Sequence, residues 1–238
     1  MAGLLGIECG ATHTVALHES GGQVARAGFG PANLRLLDNV QLAGRLRRIA
    51  KQFPKPSAVA IGMAGVRTAA DKQRLHRAAA RAWPSAAIHA TNDLETALAA
   101  DTQHKPANRV LVLSGTGSCC FGQTADGATA KLGGWGHILG DKGSGFEIGL
   151  RARKACVFYL DRDDNWSALG QRLLRRLQLN APEALIDWIA QAEKVEVAGL
   201  AGEVFAAWAK RDKIAGDILD GAADTRREGI VQTIMPNP

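Results

Sequence analysis

The most constraining feature of this chain is a pattern that occurs twice. An apolar run, Leu4-Leu5-Gly6-Ile7-Glu8-Cys9, enters the turn Gly10-Ala11-Thr12, and an alternating run, His13 to His18, follows. The plan returns where Arg109 to Ser114 enters Gly115-Thr116-Gly117-Ser118 and the strand-like Ser118 to Gln123 leads on to a turn at Asp126-Gly127. Thr12 and Thr116 stand 104 residues apart, and the turn glycines Gly22 and Gly127 stand 105 apart. That period is too long for a solenoid repeat and points to a duplicated domain. A third strand completes each copy, at Gln23–Phe29 and at Ala128–Leu132, and the Gly-rich turns between strands read as hairpins.

The remaining elements define the fold class. Leu42, Leu46, Ile49 and Phe53 share a helical face that Pro54 and Pro56 close. A buried strand over Ser57–Gly65 follows, then a helix from Lys72 to Trp83, a strand over Ser85–Thr91 and a helix beginning near Asp93. Strands alternating with helices predict an α/β fold with a mixed sheet. Helices dominate after the second set of strands. Phe146, Leu150, Val157 and Leu160 share one face, Trp166, Leu169, Leu173 and Leu177 a second, and Val197, Leu200, Val204, Phe205 and Trp208 a third. Residues 229–238 give no legible element. Two domains are expected, residues 1–107 and 108–238.

Composition narrows the function classes. The 238 residues are 46% hydrophobic and 22% charged, with mean hydropathy near zero, which fits an ordered globular protein and excludes disorder. No run reaches the length of a membrane span and no secretory leader is visible, so no membrane partner and a cytoplasmic location are expected. The net charge of +6 raises nucleic acid as a partner. The basic residues are dispersed, however, and groups such as Arg45, Arg47, Arg48 and Arg172, Arg175, Arg176 fit solvated helix faces without interleaved aromatics. No nucleic-acid partner is expected. Cys9, Cys119, Cys120 and Cys156 have no metal-type spacing and read as buried, reduced thiols.

Three constellations carry chemistry. In the two Gly/Thr turns, glycine lets successive backbone N–H groups face one concavity and hold anionic oxygens, with the Thr and Ser hydroxyls as further donors. Neither turn is a P-loop, and no GxGxxG opens a helix. Asp93 stands where a strand gives way to a helix; it suits an N-cap, and equally a carboxylate at the strand end where α/β sheets bind ligands. The densest signal is the segment from Gly133 to Gly145, with glycines enclosing Trp135, His137 and Asp141. Such a loop lets a ligand approach, Trp135 offers an apolar face to a sugar ring, and Asp141 can accept hydroxyl hydrogen bonds. His137 reads as structural.

The segments GIECGATHT, ATND, LVLSGTGS and GGWGHILGDKGSG, in that order, resemble the N-acetylglucosamine kinase branch of the BadF/BadG/BcrA/BcrD ATPase family, within the actin/hexokinase/Hsp70 superfamily. The resemblance runs clearly from residue 3 to about 160 and loosely to about 220. It implies duplicated RNase H-like lobes with ATP in an interlobe cleft, and phosphoryl transfer to the 6-hydroxyl of N-acetylglucosamine, glucosamine or N-acetylmuramic acid. By position it implies that Gly10 and Thr12, with Gly115, Thr116, Gly117 and Ser118, bind ATP phosphates. Glu8 falls at the acidic position near Mg²⁺, reached through water. Asn33, Asp93, Gly134, Trp135, Gly136 and Asp141 would contact the sugar, with Asp93 the catalytic carboxylate. A homodimer is an assembly the resemblance allows.

Two departures accompany it. Lys142 stands where these kinases carry Glu, and the Gly-rich adenosine-binding segment of the family does not occur after Gly202, so the second lobe is expected to be incomplete at its C-terminal end. A truncated, non-catalytic sugar-binding homologue is therefore an alternative. So is an ATPase activator subunit of a dehydratase or reductase, although no cysteine sits in a glycine-flanked cluster motif.

Overall fold

The first three strands, β1 (Gly3–Cys9), β2 (Thr14–Ser20) and β3 (Gln23–Phe29), pair as an antiparallel meander. The structure, a computed structural model, describes residues 3–100 and 108–234, the last four by backbone alone. The chain divides into two compact units, Met1–Lys105 and Pro106–Pro238. In the first, β1 also pairs in parallel with β4 (Pro56–Met63), and β4 with β5 (Ala87–Asn92), giving the order β3-β2-β1-β4-β5. Alternation along β1 buries Leu5, Ile7 and Cys9 on one face and leaves Glu8 half-buried on the other.

Helix α1 (Asn39–Gln52) starts with a capping box, in which the Gln41 amide donates to Asp38 Oδ1 at 2.8 Å and the Asp38 amide to Gln41 Oε1 at 3.0 Å. Its stripe of Leu42, Leu46 and Ile49 is buried, each side chain contributing about 2 kcal/mol against exposure. The Trp83 indole locks the end of α1 by donating to the Phe53 carbonyl at 2.9 Å. Helix α2 (Ala69–Ala82) begins three residues before the apolar pattern does, because Thr68 and Asp71 cap it reciprocally. Helix α3 (Asp93–Ala99) is capped by Asn92, whose side chain accepts from the Glu95 amide. Asp93 is thus the first helical residue and not the cap.

The second unit repeats the meander. β6 (Arg109–Ser114), β7 (Ser118–Gln123) and β8 (Thr129–Gly133) pair antiparallel in the order β6-β7-β8, with a Gly/Thr turn again between the first two strands. Gly22 and Gly127 hold equivalent turns at φ of 79° and 91°, a region L side chains rarely adopt. Helices α4 (Gly145–Asp163), α5 (Ala168–Leu177), α6 (Ala184–Gln191), α7 (Lys194–Gly199), α8 (Ala201–Trp208) and α9 (Lys213–Ile234) follow. No helix among the described residues is long and apolar enough to cross a membrane.

Three helical expectations are corrected here. The buried face of α4 is Ile148, Gly149, Ala152, Arg153 and Cys156, whereas Val157 is exposed. Small residues win because the backbone of α7 lies directly on α4; a Cβ on Gly149 would strike the Val197 carbonyl oxygen and approach Leu200 Cβ to 3.3 Å. The third apolar face is split between α7 and α8, and Phe205 and Trp208 stay half-exposed. Residues 213–234, without a legible pattern in their last part, form the long α9, which buries the small Ala215 and Ala222 with Ile218 against α4 and α8.

Candidate functional site

The first candidate site lies at the C-terminal edge of β1, β4 and β5, where parallel strands direct their backbone toward ligands. Register places Glu8 opposite Gly62, and Gly62 opposite Thr91. Gly62 is a gap that α3 fills: a Cβ there would collide with the Thr96 hydroxyl and lie 2.9 Å from the Asn92 carbonyl oxygen. The missing side chain lets the start of α3 settle over β4, bringing Asp93 within electrostatic range of Glu8. Burial pushes the Glu8 carboxyl up from its ordinary value, His13 pulls it down, and the Asp93 charge pushes it up again.

Glu95 fixes the first turn of α3. Its carboxylate accepts from Lys72 Nζ at 2.9 and 3.1 Å, from Asn92 Nδ2 at 2.9 Å, and from the Thr91 hydroxyl. Burial would raise its pKa, but the hydrogen bonds from Thr91, Lys72 and Asn92, with the Lys72 charge, together hold it below the usual value. Glu95 is a satisfied anion, so its work is to hold α3 in place. The Asn-x-x-Glu spacing is a sequence signal for such a helix start, and reasoning from Asp93 alone missed it.

Around this edge the turn is drawn tight. The Gly10 amide donates to the His13 carbonyl at 2.9 Å, and Gly10 itself admits the Glu8 carboxylate, which an added Cβ would approach to 3.3 Å. The amides of Ala11 and Thr12 donate to no protein acceptor among the described residues, and both residues are exposed. Thr12 Oγ1 lies 3.1 Å from His13 Nδ1, a neighbour the motif did not single out. Asn33 joins the same edge through a bridge to Ala64, with its Oδ1 accepting from the Arg35 amide at 3.0 Å. Glu8, Gly10, Thr12, Asn33 and Asp93 thus share one end of the first sheet.

The second unit holds its own pair of loops. The turn Gly115–Ser118 is tied to the glycine-rich segment 133–145 along its length. Ser114 Oγ donates to the Gly143 carbonyl at 2.8 Å, Ser118 Oγ to that of Lys142 at 2.7 Å, the Gly145 amide to that of Gly115 at 2.8 Å, and the Gly134 amide to that of Ser118 at 3.0 Å. The amides of Thr116 and Gly117 have no protein acceptor among the described residues, whereas the buried Ser118 hydroxyl also accepts from Arg226 at 2.8 Å. Within the segment, Trp135 is 67% exposed and Ile138 and Leu139 are exposed with it. Gly134 and Gly136 flank Trp135 at φ of 72° and 87°. His137 packs edge-on against Phe146 with ring centroids 4.7 Å apart, a structural contact. Asp141 lies apart from this exposed tip: it is 4% exposed and paired with Lys194 at 2.8 Å.

Comparison with known proteins places the chain in a family. The chain is 34% identical over 205 residues to the N-acetylmuramic acid/N-acetylglucosamine kinase of Clostridium acetobutylicum, covering 82% of this chain and 66% of that one. It is 33% identical over 139 residues to the N-acetyl-D-glucosamine kinase of Dictyostelium discoideum, covering 55% of this chain and 41% of that one. The chain therefore spans less than two thirds of the length of these relatives. Among solved structures, a Chromobacterium violaceum protein described as an N-acetylglucosamine kinase superposes with a TM-score of 0.77 at 25% identity, covering 100% of this chain and 84% of that one. A Porphyromonas gingivalis structure shares the fold with a TM-score of 0.73 at 19% identity. Residues 5–235 match a single family along nearly their whole length, and the chain belongs to the BadF/BadG/BcrA/BcrD ATPase family.

Proposed function

We propose that this chain is an ATP-dependent amino-sugar kinase that phosphorylates the 6-hydroxyl of N-acetylglucosamine or a close relative. The observation that carries the reading is two carboxylates, Glu8 and Asp93, at one end of the first sheet beside a Gly/Thr turn whose Ala11 and Thr12 amides have no protein acceptor among the described residues. Phosphoryl transfer needs an in-line hydroxyl and compensation of phosphate charge more than it needs a strong base. Asp93 orients the sugar hydroxyl and takes its proton as the bond to phosphorus forms. In the first unit the amides of Ala11 and Thr12 suit phosphate oxygens and Asn33 suits a sugar substituent; in the second unit the amides of Thr116 and Gly117 suit phosphate oxygens and Trp135 suits a sugar ring.

Mg²⁺ fits this site in one form. No group of three or more metal-ligating side chains occurs among the described residues, but Mg²⁺ is ordinarily held by one or two carboxylates plus waters and substrate phosphates. Glu8 is the carboxylate suited to it. When bound, the ion neutralises charge on the transferring phosphoryl group.

ADP release that rises with added N-acetylglucosamine, glucosamine or N-acetylmuramic acid is the expected result of a coupled assay. A rate indifferent to every hexosamine would sink the reading. Glu8→Gln is expected to abolish Mg²⁺-dependent turnover while raising Tm by up to about 2 °C at neutral pH. The folded pKa of Glu8 is raised, so its ionised form costs stability above that pKa. The cost disappears as pH falls through the folded pKa and below the ordinary carboxylate value. Scanning calorimetry should accordingly show the gain at about pH 7.5 and none at about pH 4.

A further inference from the structure

In the second unit the phosphate turn meets the glycine-rich segment at Asp141, a residue of that segment which a lysine from the helices holds. Asp141 occupies the left-handed region at φ 56°, unusual for a residue with a side chain, and its carboxylate is almost wholly buried. A buried carboxylate needs a partner, and Lys194 Nζ supplies it at 2.8 Å on Oδ2. The same oxygen lies against the phosphate turn: a Cβ on Gly117 would come within 2.8 Å of Oδ2 and 3.2 Å of Cγ. Glycine at position 117 therefore admits the Asp141 carboxylate, a reason for that residue independent of any phosphate.

Lys194 is the first residue of α7, so it reaches this carboxylate from the helices. Those helices are packed firmly, with α7 on α4 across Gly149 and Val197 buried beside Leu200. α4 in turn begins where the glycine-rich segment ends, at Gly145, with Ser144 as its cap. Hydrogen bonds already join the turn to the segment, and the ion pair ties the helical layer to the point where Asp141 meets Gly117.

We propose that Lys194 is a positioning residue which, by holding Asp141 against Gly117, makes the phosphate turn and the glycine-rich segment respond as one body, so that occupancy of one strengthens binding at the other. The proposal rests on the kinase reading above and names a property of the same site. Coupling of this kind is a difference between affinities, and it is reciprocal. Neither Trp135 nor the turn amides touch Lys194 among the described contacts, so replacing it removes no ligand contact proposed here.

The test is isothermal calorimetry of MgADP binding with and without saturating N-acetylglucosamine. In the parent chain the sugar should tighten MgADP about tenfold, within the usual range for coupled sites. Lys194→Met should bring that factor below about twofold, and Lys194→Arg should restore most of it. Lys194→Gln keeps a hydrogen-bond donor without the charge, and it replaces the Met variant should that one fail to fold; it should lose the coupling in the same way. A purely structural lysine would lower Tm and leave the coupling factor intact, which overturns the proposal. Binding of both ligands to the parent chain with no coupling also overturns it, while the kinase reading stands. Binding of neither ligand overturns both.

Discussion

Asp93→Asn is expected to lower amino-sugar-dependent turnover by about 10³-fold while MgADP binding changes little, since a positioned general base is worth about 10²- to 10⁴-fold. Asn92, not Asp93, caps α3, and the Glu95 network of Lys72, Thr91 and Asn92 remains whole. The helix-dipole share of the lost charge at the helix start is about 0.3–1 kcal/mol, a small part of the stability of a domain this size. Removing the Asp93 charge also removes one of the influences that raise Glu8, so the acid limb of Mg²⁺-dependent activity should move to lower pH in whatever turnover remains. Steady-state kinetics with calorimetry on the same preparation checks both parts. Retained turnover would remove Asp93 as the base.

Gly62→Ala is expected to have the other large effect. The new methyl would meet the Thr96 hydroxyl, lie 2.7 Å from Thr96 Cβ and sit 2.9 Å from the Asn92 carbonyl oxygen, which is backbone and cannot rotate away. Overpacking of this kind costs about 3 kcal/mol, the upper end of its usual range. For a unit of this size Tm should fall by more than about 10 °C. The relief available is a shift of α3 off β4, which carries Asp93 with it. A displacement of about 1 Å at a reacting group can cost about 10²-fold in rate, so activity measured well below Tm should fall as well. A variant that melts within about 2 °C of the parent and turns over normally would show that α3 does not depend on this contact.

The strands were the most legible part of the sequence, because period-two alternation and Gly turns leave few other readings. β1 to β3 and β6 to β8 lie where the apolar runs put them, and the α1 face of Leu42, Leu46 and Ile49 is the buried one. The failures share a cause. On α4 the sequence favours large apolar residues, yet close backbone packing selects Gly149, Ala152 and Cys156. α9 hides for the same reason, since its buried positions include alanines that any exposed helix could also carry. At the site, the residues that bear charge or carry the Gly turns were visible as motifs. The residues that place them were not: Gly62 is one glycine in an apolar strand, and Lys194 lies 53 positions from the carboxylate it holds. Such contacts depend on the tertiary arrangement and leave no local pattern.

Trp83 gives the first unit an optical label of its own. It is the one tryptophan between residues 1 and 105, the others being Trp135, Trp166, Trp188 and Trp208. Its ring is buried against α1, with the indole N–H on the Phe53 carbonyl. Emission from a chain retaining only this tryptophan would be blue-shifted when folded and would report the melting of residues 1–105 alone. Under the proposed function, emission from Trp135, at the exposed tip of the glycine-rich segment, would instead follow the arrival of a sugar.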